Sequence, residues 1–130
     1  MINNFEDLLS YAAKQEDAQR LLFLFVKASE NKKSRKRDEK KGSLDAVMCV
    51  DKLPEEIGSF VHLLKEADSI TPKWDLVFVA GLSGRPGEPP TPEDAEPFLN
   101  QMTNDLVNGQ NIARYMVFDR EGAPVVMQAA

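Results

Sequence analysis

The stretch RLLFLFVKA, residues 20–28, decides the fold. Leu21 to Val26 is an unbroken run of six apolar residues. Such a run is far too short to cross a bilayer, which takes about 20 residues. It also lacks the polar positions that give a surface helix its wet face. A short continuous apolar run reads as a strand covered on both faces.

Reading outward from this strand, Phe5, Leu8, Leu9 and Ala12 recur at helical spacing, with Asn4 as cap and Asp7 three residues on. This predicts a helix over about 4–14. Downstream, the polar segment at about 29–43 reads as an exposed basic loop, and LDAVMCV, residues 44–50, as a second strand. One polar connection between two strands predicts an antiparallel pair. Pro54, Glu55 and Glu56 suit a helix start, and Leu53, Ile57, Phe60, Leu64 and Ala67 form its apolar stripe to about residue 68. WDLVFVAG, residues 74–81, is a third strand. Thr91 then caps a helix with Pro92 at its first position, buried through Ala95, Phe98, Leu99, Met102 and Leu106 and ended by Asn108 and Gly109. ARYMVF (113–118) reads as a fourth strand, DREG (119–122) as a turn, and PVVMQ (124–128) as a fifth strand at an edge, because Pro124 lacks a donor.

The expected order is α-β-β-α-β-α-β-β in one domain spanning 1–130. It predicts an α/β fold, with α+β as the variant, built on a five-stranded mixed sheet. The two strand-helix-strand units from 44 to 118 are expected to be parallel and right-handed. Their helices then fall on one face. The first helix covers the other face only in part, so a homodimer is expected to complete the cover.

Composition narrows the function classes. The 130 residues carry a net charge of −5, with one cysteine and one histidine. Residues 32–41, KKSRKRDEKK, hold seven basic and two acidic side chains, a net +5, which leaves −10 on the rest. An acidic body with one basic patch is not a general nucleic-acid binder. Lys32, Lys33, Arg35, Lys36 and Arg37 could contact phosphates, but no aromatic residue is interleaved for base stacking. The acidic N-terminus lacks the pattern of a signal peptide, and a lone Cys49 fits a reducing compartment, so a cytoplasmic, membrane-free protein is expected.

The most suggestive chemistry lies at residues 75–99, where a strand runs into glycines at 81, 84 and 87 before a helix. Strand, glycine loop and helix is the layout of a phosphate cradle. GLSGRPG matches neither the nucleotide P-loop nor the dinucleotide fingerprint, and Glu93, Asp94 and Glu96 crowd the positive end of the helix. If a small anionic ligand binds here, Ser83, Gly84 and Arg85 are the candidate residues. Ser83 departs from the G-x-S-x-G elbow, because Arg85 holds the last position. His62, the only base of the usual kind, should face solvent. Cys49 reads as buried and inert, with Asp51, Glu55 and Glu56 opposing thiolate formation. One histidine and one cysteine cannot make a transition-metal site without carboxylates, and neither DREG nor TPEDAEP has calcium-loop spacing. Neither a catalytic set nor a cofactor is expected.

The stretches QRLLFLF, VMCVDKLPEEI, WDLVFVAGLSG, DAEPFL and VFDREGAPV span most of the chain. They resemble a family of short bacterial proteins often labelled ribonucleotide reductase alpha subunit. The resemblance implies a small cytosolic bacterial protein and supplies no active site. A reductase catalytic subunit requires a radical cysteine plus a redox pair. The expected function is a non-catalytic binding or protein-interaction module with an unknown protein partner. The alternatives are an enzyme or sensor for a small anionic ligand at 81–90 and nucleic-acid contact through 32–41.

Overall fold

The computed structural model describes residues 3–29, 43–109 and 112–125. The basic segment 32–41, with Lys32, Lys33, Arg35, Lys36 and Arg37, lies outside the described residues.

Helix α1 (Phe5–Ala13) starts where Asn4 accepts a hydrogen bond from the Asp7 N–H at 2.8 Å. Strands β1 (Gln19–Ser29) and β2 (Ser43–Lys52) follow. Helices α2 (Pro54–Ile57) and α3 (Phe60–Ile70) stand where one helix was expected. Gly58, at φ 76°, breaks the path, and Ser59 caps the second helix by accepting from the His62 N–H. Strand β3 (Leu76–Ser83) leads to α4 (Pro92–Asn108), and β4 (Met116–Phe118) follows a 3-10 turn at Ile112–Arg114. Thr91 and Asp94 cap α4 reciprocally, and Gly109, at φ 66°, closes it in the left-handed region.

The sheet is four-stranded among the described residues, in the order β2-β1-β3-β4, and every pairing is antiparallel. This corrects the expected mixed sheet with parallel strand-helix-strand units; four of the five expected strands stand among the described residues. The β1–β2 hairpin forms as expected, but β3 lies on the far side of β1 rather than beside β2. Strands β2 and β3 therefore run the same way with β1 between them. The central place goes to the longest apolar run, whose two neighbours bury its backbone as well as its side chains. Of the expected fifth strand, Pro124 bridges Phe118 and the Val125 N–H donates to Val117 O at 2.8 Å; the remainder lies outside the described residues. The turn at Asp119–Gly122 forms as read.

The pleat of β1 divides the core in two. Leu21, Phe23 and Phe25 face Phe5, Leu8, Ile57, Phe60, Leu63 and Trp74 from α1, α2, α3 and the β3 approach. Leu22, Leu24 and Val26 face Ala95, Leu99, Met102 and Leu106 of α4. All six β1 side chains are buried, each worth about 2 kcal/mol. The helices after β2 and β3 thus cover opposite faces, not one. The reason for expecting a second copy as cover disappears, since α4 supplies it. Phe98, expected inside, is 50% exposed because the stripe Ala95–Leu99–Met102–Leu106 turns it to the flank. Cys49, expected buried, is exposed on the edge strand β2. No helix among the described residues is long and apolar enough to cross a membrane.

Candidate functional site

The glycine loop is a tight hairpin. Arg85 and Glu88 exchange both main-chain hydrogen bonds, at 3.0 and 2.9 Å, around Pro86 and Gly87. Proline presets the first turn position, and Gly87 takes the positive φ of 75° that the second requires. Gly84 donates to Ala18 O at 2.9 Å and Ala18 donates to Arg85 O, which prolongs the β1–β3 ladder. A Cβ on Gly84 would lie 2.2 Å from Glu88 O and 2.9 Å from Pro90 Cδ. Two of the three glycines thus serve turn geometry and close approach. The N–H groups of Gly84, Arg85 and Glu88 already hold main-chain carbonyls, and Asp94 occupies the cap of α4.

Arg20 anchors this hairpin. It projects to the α4 side of β1, is 8% exposed, and donates from Nε to Pro90 O at 2.6 Å and from Nη1 to Asp51 Oδ2 at 2.7 Å. One guanidinium thereby ties β1, β2 and the entry to α4 together.

Ser83, Gly84 and Arg85 all border a shallow depression of about 520 Å³ with Thr91, Asp94 and Phe98. The pleat separates their chemistry, however. Ser83 lies on the face of Val77 and Val79, where its Oγ accepts from Gln19 Nε2 at 2.7 Å. Its hydroxyl therefore points toward a second concavity of about 400 Å³, between α1 and the β3–β4 side of the sheet. The inward positions of β3 run Val77, Val79, Gly81, Ser83, so the sheet loses bulk as α1 ends. Leu21, Val79 and Met116 floor this groove, Leu8 and Ala12 wall it, and Tyr11, Gln15, Gln19 and Arg114 supply its polar rim. Arg114 is exposed and makes no ion pair among the described residues. A third, larger hollow of about 660 Å³ lies at the end of α1, beside Pro54, Gly58 and Gly87, where Glu16 and Glu55 make it acidic.

Other groups are committed elsewhere. His62 is exposed on α3 with Nδ1 2.9 Å from Ile57 O, and Ser83 pairs with Gln19, so the two form no nucleophile–base couple. Among the described residues no group of three His, Cys, Asp or Glu side chains could hold a metal ion. Tyr115 donates its hydroxyl to the buried Asp105, which also accepts from Gln101 Nε2 at 2.8 Å. Burial first, and the Asp105 carboxylate second, push the phenol from 10.0 up to about 12. The folded value lies above the unfolded one, so this stabilisation is complete below pH 10 and is lost as pH climbs through about 12. Tyrosinate absorbance should show one of the two tyrosines ionising late, and Tyr115→Phe should remove that late step and the matching fall in stability.

Compared with protein-family models, curated proteins and solved structures, the chain matches none.

Gln19 and Arg114 do not figure in the sequence reading of the site, and Gly81 figures there only as a glycine of the 81–90 loop. Counting alternate residues forward from Val77 would have put Gly81 and Ser83 on one face. Nothing local to Arg114 marks it, because its place depends on where α4 returns the chain.

Proposed function

We propose that this protein is a small non-catalytic binding module whose ligand seats in the groove between α1 and β3. Its ligand class is a small organic molecule with an apolar body and one anionic group, most simply a carboxylate. The observation that carries this reading is Arg114, an unpaired guanidinium among the described residues, at the rim of a hollow lined by Leu21, Val79, Gly81 and Met116. Small-molecule sites are hollows of a few hundred Å³ in which an apolar lining carries a few convergent polar groups; this groove has that size, with polar and apolar lining in about equal share. Ser83, from the glycine loop, borders it, so the anionic-ligand reading and the binding-module reading meet at one place. The bacterial and cytoplasmic setting is supported by the resemblance of the quoted stretches to short bacterial proteins.

Thermal shifts against a panel of small aromatic and aliphatic carboxylates and phosphorylated metabolites test the proposal. Gly81→Val fills the groove, and its new Cβ meets the movable end of Gln19 at 3.2 Å and Leu21 Cδ2 at an ordinary 3.9 Å, so the fold should survive. A ligand that stabilises the wild type should lose its effect in Gly81→Val and weaken roughly tenfold in Arg114→Gln, the scale of one lost charged contact. Equal stabilisation of wild type and Gly81→Val would overturn the site, and loss in Arg85→Ala alone would move it to the depression beside Thr91. A panel without any stabilising member counts against the ligand class.

A further inference from the structure

We infer that β2 is the interface for a second copy of this chain, joined edge to edge by antiparallel pairing about a two-fold axis at Cys49. The two edges of the sheet are unlike. The β4 edge is three residues long and is already met by Pro124 and by the Val125 N–H. The β2 edge is ten residues long and has no strand partner on its outer side among the described residues. Protected edges normally carry charges, a proline or a bulge, and β2 has only the bulge near its centre, at Val47. Ala46 to Val50 contains neither charge nor proline.

The choice of a second copy over a foreign strand comes from the register. Pairing with β1 sets Lys52, Val50, Met48 and Asp45 on the α3 side, opposite Leu21, Phe23, Phe25 and Lys27. It sets Asp51, Cys49 and Ala46 on the α4 side, opposite Leu22, Leu24 and Val26, and the register shift leaves Val47 as the extra, bulged residue. Residues directly opposite in a ladder must share a face. With the axis at Cys49, Val50 meets Met48 of the second copy, Asp51 meets Ala46, and Lys52 meets Asp45. Every pair shares a face, and each occurs twice. Moving the axis to Met48 would set Asp45 against Val50, and moving it to Val50 would set Asp51 against Cys49, so only the Cys49 register joins opposite charges. Asp45 is exposed and makes no ion pair among the described residues. Lys52 holds Glu66 at 2.8 Å, and an ammonium has donors to spare for a second carboxylate. The exposed Cys49 then faces its own copy with Cα atoms about 4.5–5.5 Å apart, within the span of a disulfide.

The full chain tests this by light scattering over a concentration series, with circular dichroism confirming that each variant folds. A mass that doubles with concentration is expected. Asp45→Lys should weaken self-association by roughly tenfold or more, since like charges now meet at both ends. The swap D45K/K52D should restore it. Diamide, an azo oxidant that takes up the two electrons and two protons of the thiol pair, should trap the dimer through Cys49, while Cys49→Ser still associates. A chain that stays monomeric at high micromolar concentration, a swap no better than Asp45→Lys alone, or a monomer that captures an unrelated strand-forming peptide at β2 would overturn the inference.

Discussion

Replacing Arg20 with methionine should cost about 3 kcal/mol and loosen Pro90, at the entry to α4, from the sheet. The guanidinium is nearly enclosed, and it serves two elements far apart in sequence, Asp51 on β2 and the Pro90 carbonyl at the entry to α4. Methionine keeps the aliphatic packing and leaves both acceptors without their donor. Losing one partner of a buried pair leaves the desolvated remainder unpaired, which is why the cost exceeds the net worth of the pair. Urea denaturation should show a lower midpoint at unchanged slope. Pairing the change with Asp51→Asn should cost less than the two single changes summed, because the two side chains act on each other. Strict additivity would show that Arg20 holds Pro90 alone.

Trp74→Ala should be the most damaging single truncation, at about 4 kcal/mol. The indole is 1% exposed and stacks edge-on against Phe25 with ring centroids 5.0 Å apart. Its Nε1–H donates to Asp68 at 3.0 Å, and Arg120 lies over its face at 4.4 Å while also donating to Asp68 and to the Trp74 carbonyl. Alanine opens a cavity and breaks a cluster that joins α3, the β3 approach and the Asp119–Gly122 turn. Trp74→Phe should recover the packing and lose only the donor and part of the cation–π contact, for about 1–2 kcal/mol. Thermal melts of the three proteins check the order. Stability ordinarily totals about 5–15 kcal/mol, so the alanine variant should unfold near physiological temperature or be poorly folded at rest. A Tm within a few degrees of wild type would sink this account of the core.

The elements were legible because their signals are local. Asn4 and Thr91 each accept from a backbone N–H within their own helix start, and the helix ending at Gly109 needs only that glycine's own conformation. The six apolar residues of β1 likewise announced two covered faces without reference to anything distant. The break at Gly58 was local too, yet the apolar stripe through Ile57 and Phe60 carries across it and reads as one helix. Burial failed where it depended on neighbours from elsewhere. Cys49 looks internal in an apolar run, and only its place on an edge strand leaves it exposed. Phe98 sits at helical spacing with the true stripe, and only the position of the sheet beneath α4 decides which flank is wet.

By itself, then, the order of residues determined α1 and α4, the existence of the four described strands, the antiparallel β1–β2 pair and the need for a layer on each side of β1, but not the split between α2 and α3. These follow from hydrogen bonding and side-chain periodicity within a few residues. Only the tertiary structure decided that β3 docks against β1 rather than β2, that α4 takes the opposite face from α1, α2 and α3, and that Ser83 and Arg114 border one groove. Those outcomes turn on competition between whole surfaces for the same apolar partner. A strand with two equally greasy faces carries no mark of which neighbour will claim either one.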